Sequence, residues 1–185
     1  MECIERGSLY ESAKYHNCIF VGRDEHGKAR FAAMRGTTSG FKCDVDGSDK
    51  RFGFILPPDV AKPNHSINSR NVAVFEAPID ALSHKVMCDN GYFPPFNGWR
   101  LTLGGTSLLA LTRFLERHPE ITSVTVCTDN DEAGEFAATK IADLSGLKVA
   151  RSLPACDNDW NAALLAFQKA ERMNNHAPRG VERGL

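Results

Sequence analysis

Acidic residues that follow strand-like segments are the side chains of this sequence best suited to chemistry. In the clearest case, a β-branched run at residues 124–126 leads into Asp129-Asn130-Asp131. Two carboxylates separated by one residue can reach the same hard cation through oxygen atoms, the ligands that Mg²⁺ prefers. Aspartate also caps helix N-termini, and a helix is predicted at 132–144, so the pair alone has a simpler explanation. A metal site requires further carboxylates at the same place.

The amino-acid composition indicates which class of protein this chain belongs to. The 185 residues suffice for one domain with a smaller appendage, and 42% hydrophobic with 24% charged residues is typical of a globular protein. Six cysteines without a Cys-x-x-Cys pair argue against a zinc ribbon and indicate reduced thiols. No apolar run approaches the roughly 20 residues that span a membrane, and the first residues do not resemble a signal peptide. We therefore predict a cytoplasmic protein with no membrane partner.

Residues 1–70 are predicted to form a β-rich N-terminal domain. A hairpin spans 17–35 with Gly27 in its turn, a third strand is expected at 51–56, and a linker at 63–70. Residues 1–70 hold 11 Lys and Arg against 9 Asp and Glu, a balance of +2, whereas the rest holds 11 against 14, or −3. Arg30, Arg35 and Lys42 are candidates to guide a nucleic-acid strand, although such charges also keep strand edges soluble.

From residue 71 the pattern alternates between strands and helices. Strands are predicted at 72–75, 100–103, 124–126 and 148–153, and helices at 79–88, 107–118, 132–144 and 160–173. This alternation predicts an α/β domain at 71–173 with a mainly parallel four-stranded sheet flanked by helices. Residues 174–185 are predicted to be a polar tail.

The carboxyl ends of parallel strands meet at one edge of a sheet, which is where such folds bind ligands. Glu76 follows the first strand, with Asp80 one helical turn beyond it, and Gly104-Gly105-Thr106 follows the second. Asp157 and Asp159 follow the fourth strand, where either could instead cap the last helix. A helix cap needs only one hydrogen-bond acceptor, so the second carboxylate of this pair suggests that a cation binds here. A cluster of Asp and Glu without His or Cys favours Mg²⁺ or Mn²⁺.

These residues resemble a known domain. The resemblance is to the Toprim domain of bacterial-type DNA primases, type IA and type II topoisomerases and small nucleases, and it covers about residues 71–173. It is carried by Glu76-x-x-x-Asp80, Gly105-Thr106, Asp129-x-Asp131 before Ala133-Gly134, and Asp157-x-Asp159. Within the family the chain looks most like the primase-like branch, especially Toprim proteins of mobile elements, whose little-characterised N-terminal domain resembles residues 1–70. The resemblance implies a fold of Rossmann type, a general acid/base role for Glu76, and Mg²⁺ held by the aspartates.

Three functions fit these observations. The first is primase-like nucleotidyl transfer, with a single-stranded DNA or RNA template, nucleoside triphosphates at the Gly104-Gly105-Thr106 turn, and a helicase or another replication or transfer protein as a further partner. The second is a metal-dependent nuclease that uses the same carboxylates. The third is a catalytically silent nucleic-acid-binding domain, which would have no need to keep repelling carboxylates together.

An aromatic segment at residues 91–99 has two explanations. Its four aromatic side chains lie beside Pro and Gly, and such groups can stack on nucleic-acid bases. More often a segment of this kind folds over the core of its own domain.

Overall fold

Two sheets form the protein, a computed structural model of which describes residues 2–59, 70–144 and 146–176. After a short helix α1 (Glu2–Glu5), the N-terminal sheet contains β1 (Leu9–Glu11), β2 (Cys18–Arg23), β3 (Ala29–Arg35) and β4 (Lys42–Asp44). These strands pair antiparallel in chain order, as expected for short connections. The predicted hairpin is therefore confirmed.

The second sheet has five strands in the order β5-β7-β6-β8-β9. They are β5 (Ile55–Leu56), β6 (Asn71–Phe75), β7 (Trp99–Thr102), β8 (Ser123–Val126) and β9 (Lys148–Arg151). The last four are mutually parallel, as predicted, whereas β5 runs antiparallel to β7 at the edge. The strand expected at 51–56 is thus shortened to two residues and extends the second sheet. Its neighbours Phe52 and Phe54 are buried, and burying them brings this segment against β7.

Four helices cover the second sheet: α2 (Pro78–Asp89), α3 (Leu109–Arg117), α4 (Glu132–Ala142) and α5 (Trp160–His176). One core holds side chains of α3 and α4 against one sheet face, and another holds α2 and α5 against the opposite face. The second core also contains Phe20 and Phe31 of the N-terminal sheet. The N-terminal strands form an antiparallel sheet of their own, and its apolar face packs into a core shared with the α/β domain.

Two glycines fix the junction between the sheets. A Cβ added at Gly53 would lie 1.9 Å from the backbone oxygen of Thr102, and one at Gly22 would lie 2.5 Å from the backbone oxygen of Gly53. The backbones of β2, residues 52–54 and β7 therefore stack without intervening side chains. The Phe54 N–H also donates to the Thr102 hydroxyl at 3.0 Å.

The aromatic segment at 91–99 packs on the protein itself. The Tyr92 ring stacks on Phe167 with centroids 5.3 Å apart, Phe93 meets Trp160 at 4.9 Å, and Trp99 meets Phe114 at 5.6 Å. These contacts support the core-packing explanation over stacking on bases.

The last helix is longer than the sequence predicted. Helix α5 continues to His176, beyond the predicted end at 173, while 177–185 of the predicted tail lie outside the described residues. The predicted linker also lies outside them, apart from Arg70. Within the described ranges, no helix combines the length and apolar character needed to cross a bilayer.

Candidate active site

Glu76 and Asp129 meet at the carboxyl edge of the parallel sheet. Strands β6 and β8 pair in parallel, with Val74 opposite Val126, so the residues that follow them emerge side by side. A carboxylate oxygen of Glu76 accepts a hydrogen bond from the Asp129 backbone N–H at 3.2 Å. The topology thus brings together two of the residues predicted from the sequence.

Asp80 and Asp159 join them from two helices. Asp80 lies in the first turn of α2, is only 5% exposed, and accepts the Asn161 backbone N–H at 3.2 Å. Asp159 precedes α5 and accepts the Ala162 backbone N–H at 2.6 Å, which is the geometry of a helix cap. Each carboxylate has one structural hydrogen bond, and both line the same cavity as Glu76 and Asp129.

This carboxylate cavity has a volume of about 350 Å³ and lies between the two sheets. The N-terminal sheet contributes Arg35, Lys42 and Asp44 to its lining, and Gly104 and Gly105 complete its wall. Arg35 and Lys42 are direct cross-strand partners in β3 and β4. Like charges placed opposite each other destabilise a sheet, and negative charge close to Arg35 and Lys42 would offset their repulsion.

The carboxylates of the cavity perturb one another. Burial, followed by repulsion from Asp80, Glu76, Asp159 and Asp131, raises the pKa of Asp129 to about 7. Burial, followed by repulsion from Asp159, raises the pKa of Asp80 to about 6, although Arg35 acts in the opposite direction. Burial also raises the pKa of Glu76, while Arg151 and Lys42 lower it. The cations of the N-terminal sheet therefore act electrostatically on the acidic cluster.

The donor chemistry fits a hard divalent cation. All the acidic ligand candidates offer oxygen atoms, as Mg²⁺ and Mn²⁺ prefer. In the described part of the chain, the buried Oδ1 atom of Asp129 has no hydrogen-bond partner, and a cation would satisfy it. Across residues 2–59, 70–144 and 146–176, no three acidic, histidine or cysteine side chains are already gathered at metal-binding distances. The fit therefore rests on the unpaired oxygen and the donor types.

Asp131 and Asp157 occupy more exposed positions. Asp131 caps α4, because its Oδ1 atom accepts the Gly134 N–H at 2.8 Å, and its charge raises the pKa of both Glu76 and Asp129. Asp157 is exposed, has a backbone φ of +66°, and is not among the residues that line the carboxylate cavity. Asp131 does not line the cavity either, but its charge acts on Glu76 and Asp129, so we keep Asp131 in the metal-binding set proposed below and leave Asp157 outside it.

The glycine turn approaches the cavity with its backbone. Gly104 and Gly105 have φ values of +65° and +116°, a region that favours glycine. The Gly105 N–H donates to the Glu76 carbonyl at 3.1 Å, and the Lys50 ammonium donates to the Gly104 carbonyl at 2.7 Å. Thr106 follows the turn and is half-buried.

Arg151 is a positioning residue that sequence reasoning missed. Its guanidinium donates to the Thr128 and Asp129 carbonyls at 2.8 and 2.9 Å and also to the Glu135 carboxylate. It thereby holds the loop that carries Asp129. A basic residue at the end of a strand gives little signal in the sequence, because these contacts depend on the pairing of β8 with β9.

Arg30 does not line the carboxylate cavity. Its guanidinium lies 5.4 Å from the centroid of the Phe52 ring and 4.0 Å from Asp24. Alternation along β3 explains the separation from Arg35, because residues five apart point to opposite faces of a strand.

Two family models match the chain. Residues 1–60 match a family described as a protein of unknown function (DUF3991), and residues 73–164 match a family described as Toprim-like. A search of curated proteins gave no match.

Several solved structures share the fold. The primase fragment of the bacteriophage T7 primase-helicase protein aligns with a TM-score of 0.59 and 20% identity, over 93% of this chain and 68% of that chain. A DNA primase domain from Pseudomonas aeruginosa gives 0.52 and 19%, over 92% and 56%, and the DnaG catalytic core gives 0.52 and 18%, over 94% and 58%. The chain spans little more than half of the last two. Identities this low show the fold alone.

The fold and the acidic edge together define a Toprim-like domain that follows an antiparallel N-terminal sheet. Residues 73–164 belong to the Toprim-like family, and the resemblance noted in the sequence is confirmed.

Proposed function

We propose that this protein is a metal-dependent phosphoryl-transfer enzyme that acts on nucleic acid, with primase-like nucleotidyl transfer as its reaction. One observation carries the proposal: the cavity that gathers Glu76, Asp80, Asp129 and Asp159 also faces the like-charged pair of Arg35 and Lys42. A polyanionic substrate would satisfy the basic wall while a divalent cation neutralised the acidic wall.

The proposed metal ligands are Asp129, Asp131 and Asp159, with Asp80 as a further ligand or orienting group. A bound Mg²⁺ or Mn²⁺ would supply charge stabilisation for the phosphoryl group during transfer. Asp131 and Asp159 each keep one oxygen in a helix cap and can offer the other.

Glu76 is the proposed general acid/base. A group that exchanges protons near neutral pH works best with a pKa near the working pH, and burial raises the pKa of Glu76 above its ordinary value. Its hydrogen bond to the Asp129 backbone ties it to the loop of the metal ligands. Glu76 can thus accept or return a proton beside the cation.

The proposed substrates follow from the basic side chains of this cavity. Arg35 and Lys42 would bind phosphates of a single-stranded template or of a nucleoside triphosphate, and the Gly104-Gly105-Thr106 turn would let a phosphate approach the backbone. The bacteriophage relative is part of a primase-helicase, and its primase domains are seen with a lagging-strand DNA polymerase and an RNA/DNA hybrid. We propose a helicase or another replication or transfer protein as a further partner of this chain as well.

The test is to incubate the purified protein with labelled single-stranded DNA, ribonucleotides and Mn²⁺, and to follow product length on a gel. Growth of new products supports nucleotidyl transfer, whereas shortening of the template supports the nuclease alternative. Glu76→Gln should abolish either activity, and Glu116→Gln, an exposed change on α3, is the matched control. Absence of activity together with retained DNA binding would favour the catalytically silent domain.

A further inference from the structure

A further acid lines the carboxylate cavity and has no role in the proposed function. Asp44, the last residue of β4, comes from the N-terminal sheet and lies in the same lining as the four acids of the α/β domain. Its carboxylate differs from theirs because it has a cationic partner, since the Lys50 ammonium donates to its Oδ2 atom. An acid whose charge is already neutralised is a poor ligand for a divalent cation. Asp44 therefore needs a different explanation.

Lys50 holds the Asp44 carboxylate in place beside the glycine turn. The same ammonium group donates to the Gly104 carbonyl at 2.7 Å and lies 5.6 Å from the centroid of the Phe31 ring. Lys50 thus ties Asp44 to the α/β domain. Among the residues that the structure describes, only Lys50 binds this carboxylate. The Oδ1 atom of Asp44 is therefore an oriented acceptor that remains available to a ligand.

The row of cross-strand neighbours that contains Asp44 is otherwise apolar. Asp44 pairs with Ala33 on β3, which pairs in turn with Phe20 on β2, and both neighbours are buried and line the cavity. This row offers an apolar surface on which a sugar can rest, with a hydrogen-bond acceptor at its end.

The next row on the same sheet face carries positive charge. Lys42 and Asp44 are two residues apart on β4, so their side chains point to the same face with Cα atoms about 6.8 Å apart. Lys42 pairs with Arg35, and these two residues are the phosphate ligands proposed above. In a nucleotide the sugar lies directly beyond the 5′-phosphate. A phosphate bound to the basic row therefore places the sugar hydroxyls beside the row that ends in Asp44.

We infer that Asp44 is a specificity-determining residue, which accepts a hydrogen bond from the ribose 2′-hydroxyl of a nucleotide in the carboxylate cavity and thereby selects ribonucleotides over deoxyribonucleotides. The choice of a nucleotide as the ligand rests on the proposed function. Carboxylates bind ribose hydroxyls in other nucleotide sites, and the 2′-hydroxyl is the group that distinguishes RNA from DNA. Because Lys50 occupies Oδ2, Asp44 binds one hydroxyl through Oδ1 and leaves the 3′-hydroxyl free for chain growth.

The test measures the affinity of the purified protein for ATP and for 2′-deoxy-ATP by isothermal titration calorimetry, with Mn²⁺ and without a template, so that no product forms. The wild type should bind ATP roughly 10 to 100 times more tightly, which is the size of a hydrogen bond to a charged group. Asp44→Ala should bind the two nucleotides about equally. Asp44→Asn keeps a neutral acceptor, so its preference for ATP should fall to roughly 2 to 10 times.

The ratio of the two affinities separates sugar recognition from a structural role. If Asp44 only positioned the glycine turn through Lys50, its loss would change both affinities alike and leave the ratio unchanged. A third nucleotide, 3′-deoxy-ATP, keeps the 2′-hydroxyl and should bind the wild type as ATP does. Asp46→Ala, an exposed change outside the cavity lining, is the matched control and should keep the wild-type ratio.

Equal affinity of the wild type for ATP and 2′-deoxy-ATP would overturn the inference, as would an Asp44→Ala protein that keeps the wild-type ratio. Binding of neither nucleotide would overturn it as well, together with nucleotidyl transfer as the reaction. If product growth on a template is found but the wild-type ratio is one, only the role of Asp44 fails. If the ratios are as expected but no product grows, the sugar selection stands and the proposed reaction fails.

Discussion

Replacing Asp129 by asparagine should make the metal-free protein more stable above neutral pH. In the folded chain its pKa is raised to about 7 from an ordinary value of 3.8, first by burial and then by four neighbouring carboxylates. Between these two values the unfolded chain has lost the proton and the folded chain retains it. Wild-type stability should therefore fall as the pH rises through this window.

The size of the effect follows from this pKa difference. Moving a pKa from 3.8 to about 7 corresponds to at most about 4 kcal/mol in the free energy of unfolding. Asp129 is only partly buried, so solvent screening reduces the expected gain of Asp129→Asn to about 2 kcal/mol near pH 8. Near pH 5 less than half of that gain should remain, because there the folded wild type is still protonated.

Urea unfolding in the presence of a chelator, at about pH 5 and about pH 8, measures this gain. The same titrations with saturating Mg²⁺ should reverse the order of stability. A ligand at 100 times its Kd stabilises the wild type by about 2.7 kcal/mol, whereas the variant has lost the charge that binds the ion. Asp46→Asn, an exposed change in a turn of the N-terminal sheet, is the control and should alter neither result.

Two results would refute this reasoning. If Asp129→Asn lowers stability equally at both pH values, the carboxylate serves as a structural hydrogen-bond acceptor and carries no electrostatic penalty. If Mg²⁺ stabilises the variant as much as the wild type, Asp129 does not bind the ion.

Three further predictions concern the surroundings of the site. Arg35→Ala with Lys42→Ala should weaken single-strand binding and reduce the magnitude of its salt slope by about 1.4, as measured by fluorescence anisotropy; an unchanged slope would remove both from the phosphate contacts. Asp157→Asn should leave Mg²⁺-induced stabilisation intact in thermal unfolding, because this exposed side chain is not among the residues that line the cavity; a loss would return it to the metal set. Gly134→Ala should cost about 1–3 kcal/mol in urea unfolding, because its Cβ would lie 2.0 Å from the Asp129 carbonyl oxygen, and a neutral result would show that the loop can shift.

Much of the α/β domain was predictable because its signals are local. Each parallel strand is a short apolar run, and each is followed by a turn and an amphipathic helix, so the order of elements can be read without knowing their contacts. Glu76 and Asp129 were predictable as neighbours for the same reason, since residues that follow parallel strands emerge at one edge whatever the strand order.

The strand pairing of the N-terminal part could be predicted only in part from local sequence patterns. Alternation predicted its hairpin, but nothing local indicates that residues 55–56 pair with β7 and leave the hairpin's sheet. That choice depends on burying Phe52 and Phe54 and on the close backbone contact at Gly53, which are long-range effects.

The sequence by itself therefore determined the kinds of groups available, which are oxygen ligands, a glycine turn and a modest basic balance at residues 1–70. Only the tertiary structure decided which of them share a space. It placed Arg35 and Lys42 in the same cavity as the carboxylates, placed Arg30 beside Phe52, and left Asp157 at the surface. The physical reason is that side-chain direction depends on strand register and on the packing of the two sheets, and neither is encoded in the spacing of residues along the chain.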